Sequence, residues 1–133
     1  MDFHLDPRLA ADTEFVADWP LSRVLLMNDA RFPWLILVPR RANLTEIFDL
    51  DAASRATLAE ETAWAGERLK ILCACAKINI GALGNMVPQL HVHVVARNPG
   101  DAAWPGPVWG SGKAVPYAPA AKAEFLERVV NGL

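Results

Sequence analysis

Two histidines stand two residues apart in the stretch "PQLHVHVVAR", Pro88 to Arg97, and a glutamine precedes the first of them by two. Successive side chains of a strand alternate faces, so Gln89, His91 and His93 would share one side while Leu90, Val92 and Val94 share the other. Same-face neighbours lie roughly 6–7 Å apart at a rise of about 3.3 Å per residue. A neutral imidazole is a good nucleophile near pH 7, and a second one at that spacing can give a hydrogen bond or a proton to the group under attack. The same pair can occupy two positions on a zinc ion, which then needs a third ligand. His4, Cys73, Cys75 and scattered carboxylates are on offer, none at metal-ligand spacing, so neither metal nor cofactor is expected. The plain alternative is a polar strand face satisfied by solvent or by the protein.

Such a strand needs neighbours to hold it. "RVLLMN" and "WLILVP" read as two buried strands separated by the polar "DARFP", and "KINIGAL" as a third before the histidine strand. Asp51 is suited to N-cap a long helix running to about Ala76, because Leu58, Thr62, Ala65, Leu69, Leu72 and Ala76 step by four and three along one face. Gly66 in that helix suggests a close approach by another helix or a subunit. "DPRLAADTEFVAD" reads as a short helix with Leu9, Thr13 and Val16 on one side. The Pro- and Gly-rich stretch "NPGDAAWPGPVWGSGKAVPYAP" predicts an ordered but irregular loop, and "AAKAEFLERVVNG" a last helix that stops at Gly132. Strands joined by short connections and one long helix predict an α+β domain with an antiparallel sheet of about five strands.

The chain has 133 residues, which favours a single domain over 1–133. With 53% apolar and 21% charged residues, a packed core is expected rather than disorder. The net charge is −2 and no basic cluster is denser than Arg40–Arg41, so nucleic acid is not an expected partner. A phosphate-bearing small ligand needs only local donors. The apolar runs are too short to span a bilayer, and no signal segment is read at the start, so no membrane association is expected. Cys73 and Cys75 are too close in sequence to pair well, which predicts a reducing, cytoplasmic setting.

"QLHVHVV" resembles the signature of the histidine triad (HIT) superfamily of nucleotide hydrolases and transferases, three histidines alternating with apolar residues, with Gln89 in place of the first. "NIGALGNMVP" is similar to the family's approach to that motif, "RVLLMNDARFPWLILVPRR" to its earlier strand pair, and "AWPGP" to the Trp-Pro-Pro-Gly ending of its phosphoramidase branch. The resemblance spans about residues 22–107. It implies a HIT-like fold, a homodimer and a purine nucleotide substrate. It also implies that His91 attacks the α-phosphorus to give a nucleotidyl-histidine, its tautomer fixed by the backbone carbonyl of Gln89. His93 would donate to phosphate oxygens as charge develops. Asn28 would meet the ribose, Asn79 and the backbone at Gly84 the phosphate, and Arg97 and Trp104 would complete the substrate-binding set. Trp104 would act by capping a neighbouring subunit's site.

Three departures from the family pattern stand out. Gln89 can donate and accept hydrogen bonds but cannot titrate. Trp34 aligns with a further histidine of many members, and Met86 with a Ser or Thr that assists the leaving group. The reading is therefore a phosphohydrolase or nucleotidyl transferase acting on nucleoside phosphoramidates or dinucleoside polyphosphates such as diadenosine tetraphosphate. Its alternative is a nucleotide-binding module with little or no turnover.

Overall fold

A computed structural model describes residues 2–133. Five antiparallel strands form one sheet in the order β1-β2-β3-β5-β4. They are β1 (Thr13–Asp18), β2 (Ser22–Met27), β3 (Trp34–Pro39), β4 (Lys77–Gly81) and β5 (Val92–Arg97). Helix α1 (Pro7–Asp12) precedes β1, α2 (Ala52–Cys73) links β3 to β4, and α3 (Pro119–Gly132) ends the chain. This is the α+β fold expected, with about five strands, a long helix and a C-terminal helix.

The central strands are apolar throughout because both sheet faces are covered. Leu35, Leu37, Val92 and Val94 point towards α2 and meet Leu58, Ala65 and Leu69. Trp34, Ile36, Val38 and Val95 point the other way, into a second cluster closed by Leu9 and Val108. At Gly66 of α2 a Cβ would come 3.4 Å from Ile78 of β4, so the close approach within the chain is to the sheet and not, as the sequence suggested, to another helix. Glu61 of α2 is buried and accepts the backbone N–H groups of Leu21 and Ser22 at 2.9 and 3.0 Å, tying the helix to the start of β2.

Three boundaries differ from expectation. The helix expected over residues 6–18 ends at Asp12. Thr13 turns extended (φ −135°, ψ 166°) and opens β1, which pairs with β2 from Thr13 opposite Met27. Leu9, Thr13 and Val16 fit a helical stripe by spacing, but pairing along β2 outweighs what a six-residue helix supplies alone. Thr13 Oγ1 donates to the Leu9 carbonyl at 2.6 Å and closes the helix. Helix α2 stops at Cys73 rather than Ala76, because Ala74 takes a left-handed cap with φ 50°. Strand β5 begins at Val92, so Gln89 and His91 lie upstream of the ladder, where Leu90 N–H bonds the Leu44 carbonyl at 2.9 Å.

The loop between β5 and α3 is irregular, as its composition predicts, and its first part is tied down at Arg97. Arg97, at the end of β5, is 1% exposed. Its guanidinium makes two bonds to Asp101 at 2.8 and 2.9 Å, one to Asn79 Oδ1 at 2.9 Å and one to the Gly106 carbonyl at 2.8 Å. The rings of Phe32 and Trp104 lie over it, with centroids at 5.4 and 5.8 Å. Asp101 also accepts the N–H groups of Asn98, Ala103 and Trp104, and the Arg97 bonds hold its carboxyl well below the usual carboxylate range. Replacing Arg97 by Ala leaves these acceptors facing a void, and is expected to cost roughly 3–5 kcal/mol in urea denaturation. Arg97→Lys should recover only part of this, since an ammonium cannot supply the planar fork.

Candidate functional site

His93 is the second residue of β5, opposite Ile36 of β3 on one side and Gly81 of β4 on the other. That pairing directs its ring to the face away from α2. His91 lies one step before the ladder, and the two imidazoles meet with centroids 4.7 Å apart and planes at 71°. Both residues are buried, at 6% and 8% exposure. A buried polar ring must find a partner, and each finds one.

His91 Nδ1 lies 2.6 Å from the backbone carbonyl of Gln89. A carbonyl only accepts, so Nδ1 carries the proton and Nε2 keeps its lone pair. His93 is set the opposite way. The indole Nε1–H of Trp34 donates to its Nδ1 at 3.0 Å. Indole nitrogen only donates, so His93 Nδ1 is the bare nitrogen and Nε2 carries the hydrogen. Trp34 and Trp109 stand edge-on to the His93 ring, with centroids at 5.6 and 5.5 Å. Burial in this aromatic box, and then the charge of His91, push the His93 pKa down to about 3.

The two imidazoles open on a cavity of about 560 Å³. One wall is the loop from Leu83 to Val87, which turns at Gly84 in the left-handed region (φ 79°). Met27, Ile36 and Val108 supply an apolar lining. The charged side chains on the wall are Arg8, Asp12, Asp29 and Arg31, and Asn85 adds an amide. Asp29 and Arg31 are committed to each other at 2.9 Å, and Arg31 also donates to the Ser111 carbonyl. Arg8 donates to the Met86 carbonyl at 2.6 Å. Among the described residues no carboxylate pairs with Arg8, and no group of three His, Cys, Asp or Glu side chains stands together to hold a metal ion.

The structure brings His91, His93 and Gly84 together on this cavity, with Trp34 and Met86 beside them. Gln89 contributes its backbone carbonyl but not its side chain. Its amide turns to the N-terminal segment instead, accepting from Asp6 N–H at 2.8 Å and donating to the His4 carbonyl at 2.9 Å. The reason is geometric: Gln89 lies outside the ladder, so the strand alternation that would have put it beside His91 does not apply there. Asn28 Oδ1 accepts the N–H of Tyr117 at 2.9 Å, while its neighbours Met27 and Asp29 line the cavity. Asn79, Arg97 and Trp104 belong to the loop network and are not on the cavity wall. Among the cavity residues that sequence reasoning did not reach are Arg8, Leu9, Asp12, Arg31, Asn85 and Trp109. Arg8 and Leu9 come to the wall through contacts some 80 residues distant in sequence, which leave no local trace. Trp109 shares a tryptophan-bearing loop with Trp104, and in the fold Trp104 lies over Arg97 while Trp109 faces His93.

Comparison with known proteins agrees with this architecture. The HIT domain family model matches residues 8–100. A histidine triad protein from Sinorhizobium meliloti is 49% identical, with 98% of this chain and 97% of that one covered and a TM-score of 0.95. The corresponding protein of Bradyrhizobium japonicum is 45% identical over 99% and 98% of the two chains, again with a TM-score of 0.95. A third, from Marinobacter aquaeolei, is 44% identical over 100% and 97%, with a TM-score of 0.97. Curated protein sequences give no match. With the family model covering more than half of its length and close structural relatives along nearly all of it, the chain belongs to the histidine triad (HIT) family.

Proposed function

We propose that this protein is a nucleotide phosphohydrolase or nucleotidyl transferase that works through a nucleotidyl-histidine on His91, with Gln89 at the first position of the triad. The observation that carries the reading is the 2.6 Å contact between His91 Nδ1 and the Gln89 carbonyl. It keeps the Nε2 lone pair available at a cavity of nucleotide size, and no described residue bonds that nitrogen. The lone pair of Nε2 attacks the α-phosphorus, and the bond from phosphorus to the leaving group breaks with its electrons going to that group. Nδ1–H stays on the carbonyl, which stabilises the positive ring that forms. Water then attacks phosphorus, the P–N bond breaks with its electrons returning to Nε2, and the water's proton passes to solvent. His93 Nε2–H donates to phosphate oxygens, the left-handed turn at Gly84 lets backbone approach them, and the apolar lining takes a purine base. Asn79, Arg97 and Trp104 act as scaffold, and Asn28 anchors the segment at Tyr117.

The substrates on this reading are nucleoside phosphoramidates or dinucleoside polyphosphates. Intact-protein mass after mixing with an adenosine phosphoramidate or diadenosine tetraphosphate, quenched under conditions that preserve phosphohistidine, is expected to show an adenylyl adduct. His91→Ala should show none and lose at least about 1000-fold in kcat. Full activity in clean His91→Ala protein would overturn the mechanism. The second reading is a binding module without turnover, favoured by Met86, whose thioether is a weak acceptor where a hydroxyl would assist departure. Tight nucleotide binding with no adduct and no substrate loss would select it.

The same reading includes a homodimer. Strand β4 is an edge of the sheet with Ile80 53% exposed, and Trp64 and Ile71, seven residues apart on α2, are 48% and 61% exposed. An exposed apolar residue on an edge strand and an exposed apolar stripe on a helix invite self-pairing. Light scattering should return twice the 14.5 kDa chain mass, and Ile80→Lys should return the monomer.

A further inference from the structure

We propose that Trp34 is a positioning residue that holds His93 as a neutral Nε2–H donor, and that it thereby restricts the site to nucleotides whose leaving group departs as an anion. This rests on the nucleotidyl-histidine reading above and narrows it. The starting point is the 3.0 Å bond from the indole N–H to His93 Nδ1. If His93 took up a second proton it would carry hydrogens on both nitrogens, and Nδ1–H would face the indole N–H inside a buried box. The groups facing His93 are Trp34 from β3, His91 from the approach to its own strand and Trp109 from the loop before α3; burial among these rings, and then the electrostatic effect of His91, oppose a second proton on His93.

A neutral imidazole N–H stabilises developing negative charge well, but it is far too weak an acid to surrender its proton to a departing group. Three neighbours of the histidines cannot serve in its place. Gln89 has turned its amide to His4 and Asp6, Met86 has no proton to give, and Asp29 is locked to Arg31. Asp12 is the other carboxylate on the wall and serves as a control below.

An amine must gain a proton to leave phosphorus, whereas a phosphate, polyphosphate or carboxylate leaves with the bonding electrons as a stable anion. For such a group the step balances with no acid: the N–P bond forms, the P–O bond breaks, and the electron pair stays on oxygen. Arg8 reinforces the choice. It is a cation on the cavity wall, tethered to the Met86 carbonyl, with no carboxylate partner among the described residues.

The first test needs no substrate and no variant. Nitrogen-15 NMR of the His93 ring in the native protein should show the neutral Nε2–H form across pH 5–8. A Nδ1–H form, or an imidazolium titrating within that range, would overturn the lock whatever the activity. In Trp34→Phe, which keeps an aromatic ring but lacks the donor, the ring should populate both tautomers or begin to titrate; an unchanged spectrum would overturn the role of Trp34. The second test compares kcat/KM for diadenosine tetraphosphate and an aminoacyl adenylate with that for an adenosine alkylphosphoramidate. The native enzyme should favour the first two by at least about 100-fold, the scale on which a missing general acid is felt. Trp34→His, which restores a group able to titrate, should narrow that preference about tenfold or more, whereas Asp12→Asn should leave it in place. Equal rates for the amine and the anionic leaving groups would sink the restriction. Loss of every activity with the native NMR signature intact would instead remove the nucleotidyl-histidine reading.

Discussion

Strand β5 buries both of its faces, and the rest of the site follows from that constraint. One face is apolar and meets α2. The other carries His93 and Arg97, with His91 just upstream, and all three are below 9% exposure. An unpartnered polar group in that setting would cost several kcal/mol, so each needs a dedicated partner. A backbone carbonyl serves His91, an indole serves His93, and a carboxylate with an amide and a carbonyl serves Arg97. These partners were not free to differ in kind. Each fixes where a proton sits or where a loop is anchored, so the packing requirement and the chemistry are the same set of bonds.

The two histidines acquire opposite tautomers from this arrangement. His91 faces an acceptor through Nδ1 and so keeps a lone pair at Nε2; His93 faces a donor through Nδ1 and so keeps a hydrogen at Nε2. One ring is left with a free lone pair and the other with a hydrogen to donate, 4.7 Å apart, without any change in residue type. The distinction depends on partners separated from the rings by two residues in one case and by fifty-nine in the other.

That difference in sequence separation also explains how much could be read in advance. The histidine strand, its two buried neighbours and the long helix were legible because period-two and period-3.6 patterns are local. Asp51 does cap α2, accepting from Ser54 N–H at 2.7 Å. Strand β1 was not legible, because Leu9, Thr13 and Val16 also satisfy helical spacing, and only the register with β2 decides between the two. Arg97 could be matched to a family position, but its burial depends on Asn79 and Asp101 converging from a neighbouring strand and the following loop. Arg8 had no local signal at all. It reaches the cavity because the amide of Gln89 grips the chain at His4 and Asp6.

Gln89 illustrates how His91 can be held whatever side chain stands at position 89. What His91 draws from position 89 is a backbone carbonyl, which every residue possesses. The side chain is therefore released for another task, and here it bonds both a donor and an acceptor of the N-terminal segment in the manner of an extra strand rung. A titratable imidazole would be poorly suited to that place. It offers one donor and one acceptor on a rigid ring, whereas the amide presents both on one planar end, matched to the N–H and C=O groups of an extended chain. The N-terminal segment then brings Leu9 into the second core cluster and Arg8 to the cavity wall. The amide of Gln89 and the cation at the mouth of the site are thus two ends of one hydrogen-bonded connection, and a change at either should be read together with the other.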